Sequence, residues 1–349
     1  MKKFIALFLV LAICGSLLAA CGGEEKKPEK AVKDDGILKI LMIGHSLGND
    51  STFLLPEVFK NENAGPLVVG VIYHSGCRLA QHLDYIDQKA AQYAYYEYDT
   101  AKDEEWFRAT SSGDFQAFVP GSGTDVYIED GSIAQTMDFG LTRHDWDIIV
   151  TQAGVFEAAG VKDSAYNVNL KEDVNKLLEY VLSKDIEPKT KPQIGWNITW
   201  TCPSDDMLNE SYTSHLYNNF IDADFMYEAI VKNAQTVIAP AYEFDYIFPS
   251  GTAMQNARSS AFEPKDLYRD TIHANDYGRL IVAYTWYCML TGADINTCKF
   301  GPVSSKVLVD NFMRNSETAF EMTEQQKTIL IESVSGALAN PYAVTQSAN

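Results

Sequence analysis

Ser46 stands at the end of an apolar run, Ile40-Leu41-Met42-Ile43-Gly44-His45-Ser46-Leu47-Gly48, where the chain turns small and polar. More than two hundred residues later comes Arg269-Asp270-Thr271-Ile272-His273-Ala274-Asn275-Asp276, ahead of a strongly apolar stretch. A serine hydroxyl is a poor nucleophile until a histidine accepts its proton, and that histidine needs a carboxylate to hold its tautomer. Asp270 and His273 bring both partners within one turn of chain. The chemistry that these types and this order suit is acyl transfer, with Ser46 as nucleophile, His273 as base and Asp270 as orienting group. An Asp-x-x-His alone is a weak signal, and Gly-x-Ser often ends a strand. The weight lies in finding both, each at an element boundary. His45 is a poor rival for the base, because adjacent side chains on a strand point to opposite faces.

The elements that must position these residues follow from periodicity. Residues 37–43 are apolar on both faces, as a central parallel strand requires. Further strands are expected at 67–73, 148–151, 193–201 and 244–248. Helical spacing predicts helices over 50–61, 78–88, 170–183, 226–239 and 277–290. A last helix over 323–338 has Thr323 as its cap and Gln326 as the capping-box partner. Strands alternating with helices imply a parallel sheet covered on both faces, in one domain over 36–349. The stretch from 90 to 135 breaks the rhythm and reads as an insertion. Its Tyr93, Tyr95, Tyr96, Tyr98, Trp106, Phe107, Phe115, Phe118 and Tyr127 have two readings: platforms for sugar rings beside the site, or a small satellite core. Trp196 and Trp200 carry the same pair of readings.

These blocks resemble the SGNH (GDSL-like) hydrolase superfamily over residues 37–292. The likeness is to a little-characterised bacterial lipoprotein branch. It rests on Ile43-Gly44-His45-Ser46-Leu47, on Trp146-Asp147-Ile148-Ile149-Val150-Thr151-Gln152, on Pro249-Ser250-Gly251-Thr252-Ala253-Met254-Gln255-Asn256-Ala257-Arg258 and on Asp270 with His273. The resemblance implies a flavodoxin-like three-layer α/β sandwich with a five-stranded parallel sheet and ligands beyond its carboxyl ends. It also implies an acyl-enzyme on Ser46 that needs no cofactor or metal, and an oxyanion site made by Ser46, Gly76 and Gln152. Two departures stand out. Gln152 occupies a position where the superfamily usually has asparagine, and His45 one where it usually has Asp or Asn. Read from the residues alone, Gly76 serves equally well as a turn glycine.

The N-terminal end adds an address. Met1-Lys2-Lys3 followed by an apolar run to Ala20 describes a secretory signal over 1–20, too short for a confident span. Leu18-Ala19-Ala20-Cys21 has the lipobox pattern, so Cys21 is the expected lipidation site, and 21–35 reads as a solvated tether. The formal charge is −19, which loss of Lys2 and Lys3 takes to −21. So acidic a chain argues against nucleic acid and other polyanions as partners. Cys77, Cys202, Cys288 and Cys298 match no zinc spacing; Cys288 with Cys298 is the most local disulfide pair, and four thiols the plainer reading. The expectation is an exported, lipid-anchored serine esterase of the cell envelope, removing short acyl groups, acetate above all, from carbohydrate. The rival readings are a silent carbohydrate-binding lipoprotein on the same fold and a lipase-like enzyme.

Overall fold

A computed structural model describes residues 35–102, 105–117, 133–161, 169–184, 191–203, 222–260, 264–303 and 319–345. The signal, Cys21 and nearly all of the tether lie outside the described residues, as do Phe118 and Tyr127.

Strand β1 (Leu38–Gly44) is wholly apolar at its centre because a strand lies on each side of it and layers cover both faces. It runs into helix α1 (Ser46–Thr52), and a second helix, α2 (Leu55–Glu62), follows at once. A single helix over 50–61 was the expectation. Pro56 lacks the N–H a continuous helix would bond, so the chain breaks at Phe53–Leu54 and restarts with proline in its first turn. Strand β2 (Leu67–Tyr73) pairs parallel with β1 and leads to α3 (Leu79–Asp87).

Among the described residues eight strands form the sheet, in the order β5-β4-β3-β2-β1-β6-β7-β8, which corrects the expectation of five. The five expected strands form its parallel part: β6 (Ile148–Thr151), β7 (Gln193–Asn197) and β8 (Tyr246–Phe248) continue from β1. The extra three come from the supposed insertion. Strand β3 (Ala94–Asp99) pairs antiparallel with β2, and β4 (Phe107–Ala109) and β5 (Phe115–Ala117) extend that side. The result is an α/β fold with a mostly parallel sheet and flanking helices.

This placement decides the fate of the aromatic residues. Tyr93, Tyr95, Tyr96, Tyr98 and Trp106 are buried, and so are Trp196 and Trp200. Alternation along β3 puts Tyr95 on one face and Tyr96 and Tyr98 across the pleat, and both faces are covered. Trp106 stacks on Phe53, and Tyr95 meets Phe115 and Phe139 edge to face. They are core, which removes them as sugar platforms.

Helices α4 (Ala223–Asn233), α5 (Ser250–Arg258), α6 (Asp276–Thr291) and α7 (Glu324–Ala339) complete the cover. The capping box at α7 forms as expected, with Thr323 and Gln326 satisfying each other's backbone N–H. Cys77, Cys202, Cys288 and Cys298 are all thiols.

Candidate active site

From Ile40 to Pro56 every residue is buried except Ser46. The sequence explains why. His45 leaves β1 in an extended conformation and acts as N-cap of α1, its ring accepting from the Leu47 N–H, so Ser46 is the first residue of a helix that begins at the sheet edge. This is a sharp strand-to-helix turn, the setting that exposes a nucleophile's hydroxyl.

His273 reaches it from the loop before α6. Its Nε2 lies 2.8 Å from Ser46 Oγ, across 227 positions of sequence. On the other side of the ring, Nδ1 lies 2.8 Å from Asp270 Oδ2 and 3.0 Å from Oδ1. Asp270 also accepts the backbone N–H of His273 at 2.8 Å and of Ile272 at 2.9 Å. A carboxylate with this many donors stays ionised: burial pushes the Asp270 carboxyl up, and the hydrogen bonds from His273 and Ile272 outweigh it and bring it down to about 2. With Asp270 accepting at Nδ1, the ring proton sits there and Nε2 can accept from the serine. The two nitrogens therefore have the roles that a general base requires.

The other residues singled out from the sequence follow the two strands that flank β1. Gly76 follows β2 in a turn, exposed, with φ +60° and nothing within 4 Å of where a Cβ would stand. Gln152 follows β6 and is buried. Its Oε1 accepts from Asn197 Nδ2 at 2.8 Å, and its Nε2 lies 3.3 Å from His45 Nε2. That contact takes at most one of the two amide hydrogens. Gly48 makes room for the amide, since a Cβ there would meet Gln152 Nε2 at 3.1 Å and Met42 Cε at 2.6 Å.

Sequence reading missed the chain of side chains beneath the turn. Trp286 Nε1 donates to Ser250 Oγ at 3.0 Å, Ser250 donates to Asn197 Oδ1 at 2.6 Å, and Asn197 passes the network to Gln152 and to Ser51 Oγ. The signal was present: Asn197 ends β7, and Ser250 opens the quoted Pro249–Arg258 block. Burial pulls His45 down to about 4, against the Ala153 carbonyl it faces, so its ring is neutral at pH 7. Glu157 is a further missed residue. Its carboxylate accepts from Leu79 N at 3.0 Å and from Gly154 N at 3.1 Å, bracing the loop after Gly76 against the loop after Gln152.

Among the described residues no group of His, Cys, Asp and Glu could hold a metal ion, and no helix is long and apolar enough to cross a membrane. A cavity of about 1200 Å³ opens elsewhere, between Tyr227, Gln255 and Ile329, and its lining holds no serine and histidine pair. The Ser46–His273 pair, rather than cavity size, marks where acyl-transfer chemistry is geometrically possible.

A family model described as "Domain of unknown function (DUF4886)" matches residues 127–319. Among solved structures, a DUF4886 family protein from Bacteroides uniformis ATCC 8492 is 20% identical, with a TM-score of 0.64 over 89% of this chain and 98% of that one. The lipase Lip_vut3 from a goat rumen metagenome is 8% identical, with a TM-score of 0.37 over 73% of this chain and 98% of its own. A catalytic mutant of Axe2, an acetylxylan esterase from Geobacillus stearothermophilus, is 10% identical, with a TM-score of 0.36 over 72% and 94%. The first likeness is one of fold, and the other two are too slight to bear on activity. No curated protein matches the chain.

Proposed function

We propose, on the premise that the chain belongs to the DUF4886 family, that it is a serine esterase of SGNH type hydrolysing short acyl esters. The observation that carries this reading is the continuous line Asp270–His273–Ser46, with 2.8 Å at each junction. In the proposed reaction Ser46 Oγ attacks the ester carbonyl as His273 Nε2 takes its proton. Asp270 holds the proton on Nδ1 and stabilises the imidazolium that forms. The oxyanion is received by the backbone N–H of Ser46, by Gly76 and by the Gln152 amide. His273 then protonates the departing alcohol, leaving an acyl group on Ser46. Water attacks that ester with His273 again as base, releasing the acid and restoring the serine.

The acyl group assigned is small, acetyl first, and its carrier an O-acylated carbohydrate. This carrier rests on the export reading, since Tyr93, Tyr95, Tyr96, Tyr98, Trp106, Trp196 and Trp200, which favoured it, are core. Export and anchoring rest on the lipobox ending at Cys21. Rates on p-nitrophenyl esters from acetate to octanoate test the reading in wild type and in Ser46→Ala. Steeply falling, Ser46-dependent rates are the expected result. A preference for octanoate points to a lipase, and no turnover on any ester to a silent binding protein. For the anchor, Cys21→Ala should abolish incorporation of labelled fatty acid; a wild-type chain that incorporates none refutes lipidation.

A further inference from the structure

We propose that Asp50 is a positioning residue that sets the distance between Ser46 and His273; the consequence for turnover rests on the esterase reading above. Asp50 stands four residues after Ser46 on α1, hence on the same face of that helix. Its buried carboxylate accepts from Arg269 Nη1 at 2.9 and 3.0 Å, from the Ala274 N–H at 3.0 Å, and from Arg279 Nε at 2.8 Å and Nη2 at 2.5 Å. Arg269 immediately precedes Asp270, and Ala274 immediately follows His273. One carboxylate on the nucleophile's own helix therefore grips both ends of the segment that carries the base.

The contrast with Asp270 is the core of the argument. Asp270 and His273 lie three residues apart in one loop, so their bond orients the ring within that loop and moves with it. It does not fix the loop against Ser46. The loop is closed on itself by Arg269 N to His273 O at 2.9 Å and by Arg269 Nη1 to the Ala274 carbonyl, which makes it a small rigid body. Trp200 Nε1 ties its Ile272 carbonyl to the β7 side at 2.8 Å, and Asp50 supplies the tie to the serine's side. The charges match. Asp50 and Asp276 face Arg269 and Arg279, two carboxylates against two guanidiniums, with Arg279 Nη1 3.9 Å from Asp276. Such a cluster is rigid because each group would be stranded without the others. Misplacing a base by about 1 Å costs on the order of 100-fold in rate.

The test uses the full-length chain in detergent, with Asp50→Asn and Arg269→Met as variants. The second covers the case in which Asp50→Asn, stranding two guanidiniums, does not fold. Either folded variant should lose roughly 10- to 100-fold in kcat on p-nitrophenyl acetate at a KM within about twofold, and Arg269→Lys should recover part of it. A second readout needs no turnover. In ¹⁵N-histidine spectra, Ser46→Ala should shift His273 Nε2 in the otherwise native chain and leave it unmoved in the Arg269→Met background. The downfield Nδ1 proton held by Asp270 should persist in both. Wild-type kcat in Arg269→Met, or a His273 signal there that still responds to Ser46→Ala, overturns the proposal. A native chain that hydrolyses no ester refutes the esterase reading, and the spectra still decide the role of Asp50.

Discussion

Asp270 separates two roles that are easily confused, holding a ring and holding a charge. Asp270→Asn keeps the shape and loses the charge, so kcat should fall by roughly 10⁴ in a folded protein. Ser46→Ala and His273→Ala should each cost several orders of magnitude, and the double variant little more, because the members act as a unit. Additive losses in single-turnover assays would show that they do not share one step. Two carboxyls predict opposite pH effects on stability. Asp270 is brought down to about 2, so its contribution is present above the ordinary carboxylate range and lost as pH falls through 2. Burial pushes Glu157 up to about 7 despite the N–H groups of Gly154 and Leu79, so its contribution is present below about 4.5 and lost as pH rises through 7. Glu157→Gln should flatten the melting temperature between pH 5 and 8; an unchanged slope there refutes this. Ser46, Asp270 and His273 could be picked out from the sequence because their chemistry restricts residue type. Asp50, Asn197 and Ser250 could not, because their partners lie 36 to 229 positions away and hydrogen bonding alone does not single out a residue.

The elements that position the serine show how local rules yield to packing. Strands 67–73 and 148–151 and helix 170–183 match their expected bounds, as continuous apolar runs and clear helical periods should. Helix α1 did not announce itself. Ser46-Leu47-Gly48-Asn49-Asp50 is poor in helix formers and rich in residues that favour turns, and it is helical because both of its sides are covered. Gly48 is the telling residue. Alanine in a helix is ordinarily worth up to about 1 kcal/mol over glycine. Here its methyl group would displace Met42 and the Gln152 amide. Gly48→Ala should therefore leave the melting temperature within a few degrees and lower kcat by about tenfold or more through the oxyanion site. A fully active Gly48→Ala would remove Gln152 from that role.

Across the whole molecule, the sheet decides which residues are surface and which are core. The Tyr-rich stretch looked like an insertion because it has no parallel crossover, yet antiparallel strands need only short turns and can join a parallel sheet at its edge. That is why Tyr93, Tyr95, Tyr96, Tyr98 and Trp106 are core, one of the two readings their composition left open. Tyr95→Ala should cost about 3–5 kcal/mol of stability, as loss of a buried ring does, and leave the KM of the folded fraction unchanged. A raised KM at native stability would restore the platform reading. The 227-residue gap between Ser46 and His273 also bears on how the chain is made. Strand β1 emerges first and the loop carrying His273 in the last quarter, so a chain still leaving the ribosome holds Ser46 without its histidine partner. Contacts of such long sequence range form late in folding. Under the proposed mechanism, chemical competence then becomes a report on completion: a chain cut anywhere before residue 273 should be chemically silent, however much of its sheet has formed.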